Sequence, residues 1–153
     1  MSLDSTRNRG ADAATTVSLS PQRLVDQIEA APCLPPGSDE RFDGYGVMGL
    51  PFRSGHVLAL RRFPATSVGP SYTSVWHRDP QGEWVFYSTA AARLGCSRYF
   101  GTNALASIQT EVRITWPAPA RFRVVVPVAA LEWDVTVGPT LATQIMNTAS
   151  PKT

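Results

Sequence analysis

The chain has 153 residues, 43% of them hydrophobic, and a formal net charge of +2. That length suits a single domain with one core, and so small a charge argues against a nucleic-acid partner, which needs a clustered basic face. Of the fourteen cationic residues thirteen are Arg, and the single lysine, Lys152, lies in a polar tail, which excludes mechanisms that need a buried Schiff-base lysine.

Cysteine content and hydropathy predict a cytoplasmic protein. The two cysteines, Cys33 and Cys96, have neither CxxC nor Cys/His spacing, so we expect reduced thiols and no metal site. The first residues show no apolar run of the signal-peptide type. No stretch approaches the roughly 18 to 20 apolar residues of a membrane span. We therefore predict no membrane span, and no motif calls for a cofactor.

The N-terminal quarter is predicted to contain one helix. Residues 1–17 are polar and small, which is typical of a disordered leader. Residues 18–43 read as a helix and a linker: Ser20 is a candidate N-cap and Pro21 suits the first helical position. We expect the helix to cover residues 21–31. Its apolar stripe consists of Leu24, Val25 and Ile28.

The stretch GYGVMG, residues 44–49, matches the dinucleotide-binding pattern GxGxxG letter for letter. That pattern requires a buried strand before it and a helix after it, whose N-terminus faces the pyrophosphate. The preceding SDERFD is charged, and Pro51 and Gly55 follow where the helix should run. The sequence therefore favours a structural, glycine-rich turn between extended segments.

Strand patterns dominate from residue 44 to residue 140. HVLALRRF, residues 56–63, reads as one strand. YTSVWHRDPQGEWVFYST reads as a hairpin around the turn Asp79–Gly82, with a bulge at the glycine. This register predicts an aromatic face with Trp76, Arg78, Trp84 and Phe86, and a mixed face with Val75, His77, Val85 and Tyr87.

Residues 107–137 continue the alternation in three runs, which predict a meander with one buried and one polar face. Apolar positions align if Ile114 pairs with Val124 across the loop PAPAR. The predicted fold class is mainly β: an antiparallel meander of six or seven strands that forms an open or partial barrel, with one short N-terminal helix. Residues 141–153 form a tail.

Two segments, SVWHRDPQGEW and CSRYFG, carry a resemblance that extends over about residues 44–147. Here the chain resembles the N-terminal part of an actinobacterial family of lipocalin-like (calycin) barrels of the hydroxyneurosporene synthase type. The resemblance implies a second β-rich half after these residues and a ligand cavity shared between the two halves, so we expect the cavity of this chain to be incomplete. We accordingly expect an open sheet edge and a homodimer formed through it.

Acid–base chemistry is one hypothesis for function. His77, Asp79 and Tyr87 are candidate catalytic residues of an enzyme of hydratase or isomerase type acting on an isoprenoid-like or ketone substrate. The alternative for His77 is a histidine packed beside Tyr87 or exposed on the hairpin. His56 could act as a second base or ligand, although two histidines without a spacing rule are weak support for a metal.

Two further groups have both a chemical and a structural interpretation. Arg93 and Arg98 would favour the thiolate form of Cys96, which would make it reactive. The alternative is that Cys96 is a small buried residue at a bend between strands. Glu132 and Asp134, about 7 Å apart on one strand face, could form a carboxylate pair. They could equally belong to a solvated face that Arg113 and Arg123 neutralise.

The aromatic residues support the preferred hypothesis, a module that binds a small apolar or lipid-like molecule. Such side chains fill the core of a small barrel or line a pocket, and an arginine among them needs a carboxylate or the polar head of a ligand. The candidate ligand-binding residues are Trp76, Arg78, Trp84, Phe86, Trp116 and Trp133. A third possibility is a structural module whose sheet edge pairs with another chain.

Overall fold

The computed structural model describes residues 19–141 together with residues 143 and 145. It contains helix α1 (Pro21–Ala30) and strands β1 (Phe42–Pro51), β2 (Val57–Thr66), β3 (Tyr72–Arg78), β4 (Trp84–Ser88), β5 (Ala106–Gln109), β6 (Arg113–Ala118), β7 (Arg121–Val126) and β8 (Leu131–Thr136). The predicted mainly β class with one short N-terminal helix is confirmed. The predicted leader and most of the predicted tail lie outside the described residues.

Helix α1 begins as the sequence predicts. The side chain of Ser20 accepts a hydrogen bond from the backbone N–H of Arg23 at 3.3 Å, and Pro21 is the first helical residue. The apolar stripe is narrower than predicted, because Leu24 is 46% exposed while Val25 and Ile28 are half-buried. The helix is therefore held by a few contacts at its inner face.

The first five strands form one sheet in the order β1-β2-β3-β4-β5. The predicted β3–β4 hairpin is confirmed, with Trp76 opposite Phe86 and His77 opposite Val85. The N–H of Gly82 donates to the carbonyl of Asp79 at 3.1 Å, and Gly82 has a φ of 98°. A left-handed glycine thus closes the turn, as its sequence predicts.

The glycine-rich stretch was predicted as a turn, and this prediction is wrong, because residues 44–49 lie inside strand β1. A Cβ at Gly44 would lie 2.0 Å from the carbonyl oxygen of Arg62, and one at Gly46 would lie 2.2 Å from that of Leu60. The pairing of β1 with β2 also shifts twice. The glycines permit β1 to approach β2 closely across these irregularities.

The run predicted as one strand from residue 107 to residue 116 is two strands in different sheets. β5 pairs parallel to β4, which breaks the predicted all-antiparallel order, and β6 begins the second sheet. The chain changes sheets at residues 110–112, so the continuous alternation hides a crossing. The second sheet, β6-β7-β8, is antiparallel, and Ile114 pairs with Val124 as predicted.

The two sheets pack face to face. The core contains Leu58, Leu60, Val75 and Tyr87 from the first sheet and Phe122, Val124, Val126, Trp133 and Val135 from the second. Among the described residues the strands form two separate sheets and not one closed barrel. The mixed face of the β3–β4 hairpin therefore points into the core between the sheets.

The aromatic face of the hairpin lies on the opposite, outer side of the first sheet. Residues 89–105 cross this side in three short 3-10 turns, and Cys96 and Ala104 pack on its apolar cluster. The N–H of Cys96 donates to the hydroxyl of Tyr72 at 2.8 Å, which attaches the crossing segment to β3. The first sheet is thus covered on both faces.

Candidate functional site

A cleft of about 360 Å³, called the aromatic cleft here, opens on the outer face of the first sheet. Its walls come from β1 to β4 and from the crossing segment, and they consist of Met48, Ala59, Arg61, Trp76, Trp84, Phe86, Phe100 and Asn103. These residues share one face because side chains alternate along each strand. A cleft of this size and lining can take a small apolar molecule.

The ring of Trp76 is the centre of the aromatic cleft. It stacks on Phe86 with centroids 4.1 Å apart, and Phe100 meets it edge to face at 5.1 Å. The guanidinium carbon of Arg61 lies 3.7 Å from the centroid of the Trp76 ring. This separation is typical of a cation–π contact, which fixes the guanidinium beside the apolar walls.

Three polar atoms near this contact are buried and have no hydrogen-bond partner among the described residues: Arg61 Nη1, Trp76 Nε1 and Ser74 Oγ. Arg61 and Ser74 face each other in the β2–β3 register, and Trp76 follows Ser74 on the same side. Leaving a buried donor unpaired costs about 1–3 kcal/mol, and more when the group is charged. These atoms are candidate hydrogen-bond partners for an ordered water or a bound molecule.

A second cleft of about 370 Å³, called the histidine cleft here, opens between the two sheets. His77 and Tyr87 come from the first sheet, His56 from the turn just before β2, and Glu132 and Trp133 from β8. Phe52 lies across from Trp133 with ring centroids 6.4 Å apart in an edge-to-face arrangement. The cleft thus combines aromatic walls with several ionisable groups.

The two histidines of the chain are hydrogen-bonded to each other in this cleft. His56 Nδ1 lies 2.8 Å from His77 Nε2, and the ring centroids are 5.0 Å apart with planes inclined by 29°. The pKa of His77 is lowered, first by burial and then by the neighbouring His56, while Asp79 opposes the shift. The contact arises because His56 directly precedes β2, which pairs with β3 so that His77 lies opposite Leu58.

The structure brings only some of the predicted site residues together. Trp76, Trp84 and Phe86 line the aromatic cleft, whereas Trp133, His77 and Tyr87 line the histidine cleft. Trp116 lines a separate apolar cleft of about 150 Å³ beneath helix α1. Arg78 lies beside Gly82 and lines neither of the two main clefts.

Asp79 has a structural contact in the hairpin turn. Its Oδ1 accepts a hydrogen bond from the N–H of Glu83 at 2.8 Å. Glu132 also borders the histidine cleft, but its neighbour Trp133 faces the core, and the Glu132 carboxylate pairs with Arg123 on the exposed face of the second sheet. Arg123 contacts Glu132 at 2.8 Å and Asp134 at 2.9 Å, as the neutralised-face alternative predicts.

Arg61 and His56 are the residues that sequence reasoning undervalued. Arg61 lies in the run ALRRF, two positions after Ala59, and the alternation alone could have placed it on the outer face. His56 shares a face with Leu58, which pairs with His77. The missing signal in both cases was which strand pairs with which.

Searches against protein-family models, curated proteins and solved structures give no match. The resemblance to lipocalin-like barrels therefore stays a prediction. Within the described residues there is no group of three or more His, Cys, Asp or Glu side chains that could hold a metal ion. No helix in the described ranges is long and apolar enough to cross a membrane.

Proposed function

We propose that this chain binds a small apolar molecule with a carboxylate head group in the aromatic cleft. The observation that carries the proposal is the pair of buried donors, Arg61 Nη1 and Trp76 Nε1, without a partner in the described part of the chain. An acceptor group at the rim of the Arg61–Trp76 contact, within reach of both atoms, would satisfy both. The sequence predicted the same class of ligand, with Arg78 in the role that Arg61 has here.

The remaining walls suit the body of such a ligand. Trp84 and Phe86 have ring centroids 6.2 Å apart and are inclined by 57°. Together with Phe100 and Met48 they offer apolar surface to a flat ring or a short chain. Burial of that surface supplies affinity at roughly 25 cal/mol per Å², and the head group supplies orientation.

Titration with naphthoate and with naphthylmethanol separates the two contributions. Both probes carry the same ring system, and only naphthoate has a carboxylate. We expect naphthoate to quench tryptophan emission saturably at micromolar concentrations, with naphthylmethanol binding more weakly. Replacement of Arg61 by Met should weaken naphthoate binding about 10- to 100-fold, the equivalent of a hydrogen bond to a charged group, and leave naphthylmethanol binding nearly unchanged.

Two further variants make the assignment specific. Trp84→Ala should weaken both probes, because it removes an apolar wall. Arg23→Met, on the exposed side of α1 and outside the lining of the cleft, is the matched control for loss of one positive charge. Equal losses in Arg61→Met and Arg23→Met, or linear quenching without saturation, would contradict the proposal.

A further inference from the structure

We propose that His56 and His77 form a general-base dyad in the histidine cleft. In this dyad His56 is the catalytic residue that removes a proton from a bound molecule. His77 is a positioning residue that accepts a hydrogen bond from His56. The site lies on the opposite face of the first sheet from the aromatic cleft and is independent of ligand binding there.

The geometry of the pair is that of a shared proton. The 2.8 Å separation of the two nitrogens, with the ring centroids only 5.0 Å apart and the planes within 29°, places the rings end to end. In such an arrangement one nitrogen donates along the line to the lone pair of the other. The hydrogen bond occupies His56 Nδ1 and His77 Nε2, so His56 Nε2 and His77 Nδ1 are not part of it.

The dyad requires one tautomer of the pair, in which His56 donates its Nδ1–H to His77 Nε2. Burial and the neighbouring ring hold the pKa of His77 below its usual range, which favours a neutral acceptor ring. His56 Nε2 then carries a lone pair and can take a proton, and the resulting imidazolium is stabilised by the hydrogen bond to His77.

The surroundings define the chemistry that the dyad can perform. The ionisable groups around the pair are Asp79 in the β3–β4 turn and Tyr87 on β4, whereas the carboxylate of Glu132 on β8 pairs with Arg123 on the exposed face. The remaining walls include the rings of Phe52 and Trp133. A small aromatic or apolar molecule with a weakly acidic C–H, such as one next to a carbonyl, fits these walls. His56 would take the proton, the C–H electron pair would remain on the substrate as an enolate, and the imidazolium would return the proton.

Elimination of nitrobenzisoxazole tests for such a base without knowledge of the natural substrate. His56 Nε2 takes the ring C–H proton, the C–H electrons form the nitrile, and the N–O bond breaks to release a coloured phenolate. The imidazolium then loses its proton to water. We expect a rate about 10²-fold or more above that of imidazole at equal concentration, as positioned general bases provide.

Substitutions at the two histidines separate catalysis from positioning. His56→Gln should abolish the excess rate. His77→Gln keeps a side-chain oxygen that can accept from His56 and should retain the rate within a few-fold, whereas His77→Leu has no acceptor and should lose about tenfold or more in kcat/KM. Arg23→Met, on the exposed side of α1 and outside the lining of the histidine cleft, should leave the rate unchanged. Thermal unfolding checks that every variant is folded.

Nitrogen-15 NMR of the imidazole groups distinguishes the proposed positioning role of His77 from a purely structural one. We expect His77 Nε2 to show the shift of a hydrogen-bond acceptor at neutral pH, and its pKa to rise when His56 is replaced by Gln. Activity should fall on acidification as the dyad is protonated. A folded wild-type protein no faster than imidazole, or a His56→Gln variant as fast as the wild type, would overturn the proposal.

Discussion

Gly44 and Gly46 lie where the backbone of β2 occupies the space that a side chain would need. A Cβ at Gly46 would meet the carbonyl oxygen of Leu60 at 2.2 Å, and neither backbone segment can move without disturbing the sheet. The neighbouring Val47 packs on the core. A single methyl group at this position therefore affects the pairing of the edge strand with the rest of the molecule.

We predict that Gly46→Ala lowers the free energy of unfolding by about 2 kcal/mol or more, as overpacking against a fixed backbone does. The control is Gly138→Ala, since a Cβ at Gly138 has nothing within 4 Å among the described residues. Urea unfolding followed by tryptophan fluorescence measures both. Equal midpoints for Gly46→Ala and wild type would mean that β1 lies farther from β2 than the structure shows.

At the scale of elements, a polar cluster around Glu29 attaches helix α1 to the first sheet. Glu29 accepts two hydrogen bonds from the guanidinium of Arg62, both at 2.8 Å, and a third from the hydroxyl of Tyr45 at 3.0 Å. The hydrogen bonds from Arg62 hold the pKa of Glu29 below its usual range. Burial and the contact with Glu29 raise the pKa of Tyr45.

Replacement of Glu29 by Gln should lower the free energy of unfolding by about 1–2 kcal/mol at pH 7, because a bidentate, charge-assisted pair is lost. Since the folded state lowers the pKa of Glu29, this contribution is fully present above the unfolded-state pKa and disappears as the pH falls through the folded-state value. The difference from wild type should therefore persist at pH 5 and vanish well below pH 4.5, the usual value.

Thermal unfolding across this pH range measures the effect. The matched control is Glu111→Gln, which removes a carboxylate from an ion pair whose side chains are 60% and 56% exposed. Such pairs contribute little, so its unfolding temperature should stay close to that of wild type at every pH. A Glu29→Gln effect that does not change with pH would assign the loss to packing and not to charge.

Local patterns made some elements predictable and left others hidden. The β3–β4 hairpin follows from neighbouring residues alone: alternation on both sides and a turn closed by Gly82. The split between β5 and β6 cannot be predicted from neighbouring residues. Ile108, Val112 and Ile114 keep one alternation while the chain passes from one sheet to the other. Alternation indicates which residues lie on the same side of a strand, but it does not indicate to which sheet the strand belongs.

The same limit explains the candidate site. Both faces of the β3–β4 hairpin are apolar, so the sequence could not tell which one faces the second sheet and which one the crossing segment covers. The aromatic side chains were therefore predicted to form one ligand-binding site, although Trp76 and Trp133 lie in different clefts. The contact between His56 and His77 joins residues 21 positions apart, and it exists only through the register of β2 with β3.

At the scale of the whole molecule, the outermost strand β1 presents apolar side chains beside an edge that pairs with no other strand in the described part of the chain. Met48 and Leu50 of β1 are 79% and 39% exposed, and Phe52, just after the strand, is 40% exposed. An exposed apolar edge strand favours pairing with another chain. This observation supports the predicted association through an open sheet edge, which stays a prediction.

We expect the chain to dimerise at high micromolar concentration and Met48→Lys to shift it toward monomer, since a charge on an edge strand opposes pairing. Size-exclusion chromatography with light scattering over a concentration series measures this. Leu105→Lys is the control, because Leu105 is 71% exposed and lies outside β1. A monomer at all concentrations, or equal effects of both substitutions, would exclude β1 as the interface.

The two clefts are built on opposite faces of β2 and β3, whose side chains alternate strictly. This shared support limits how the clefts can change during evolution. Point substitutions alter each cleft separately, because Arg61 and Trp76 face outward while Leu60 and His77 face the core. A one-residue insertion or deletion within β3 before Trp76 would exchange the sides of every residue up to the hairpin turn. The two clefts can therefore diverge freely in composition, whereas the length of the strands between them must stay constant.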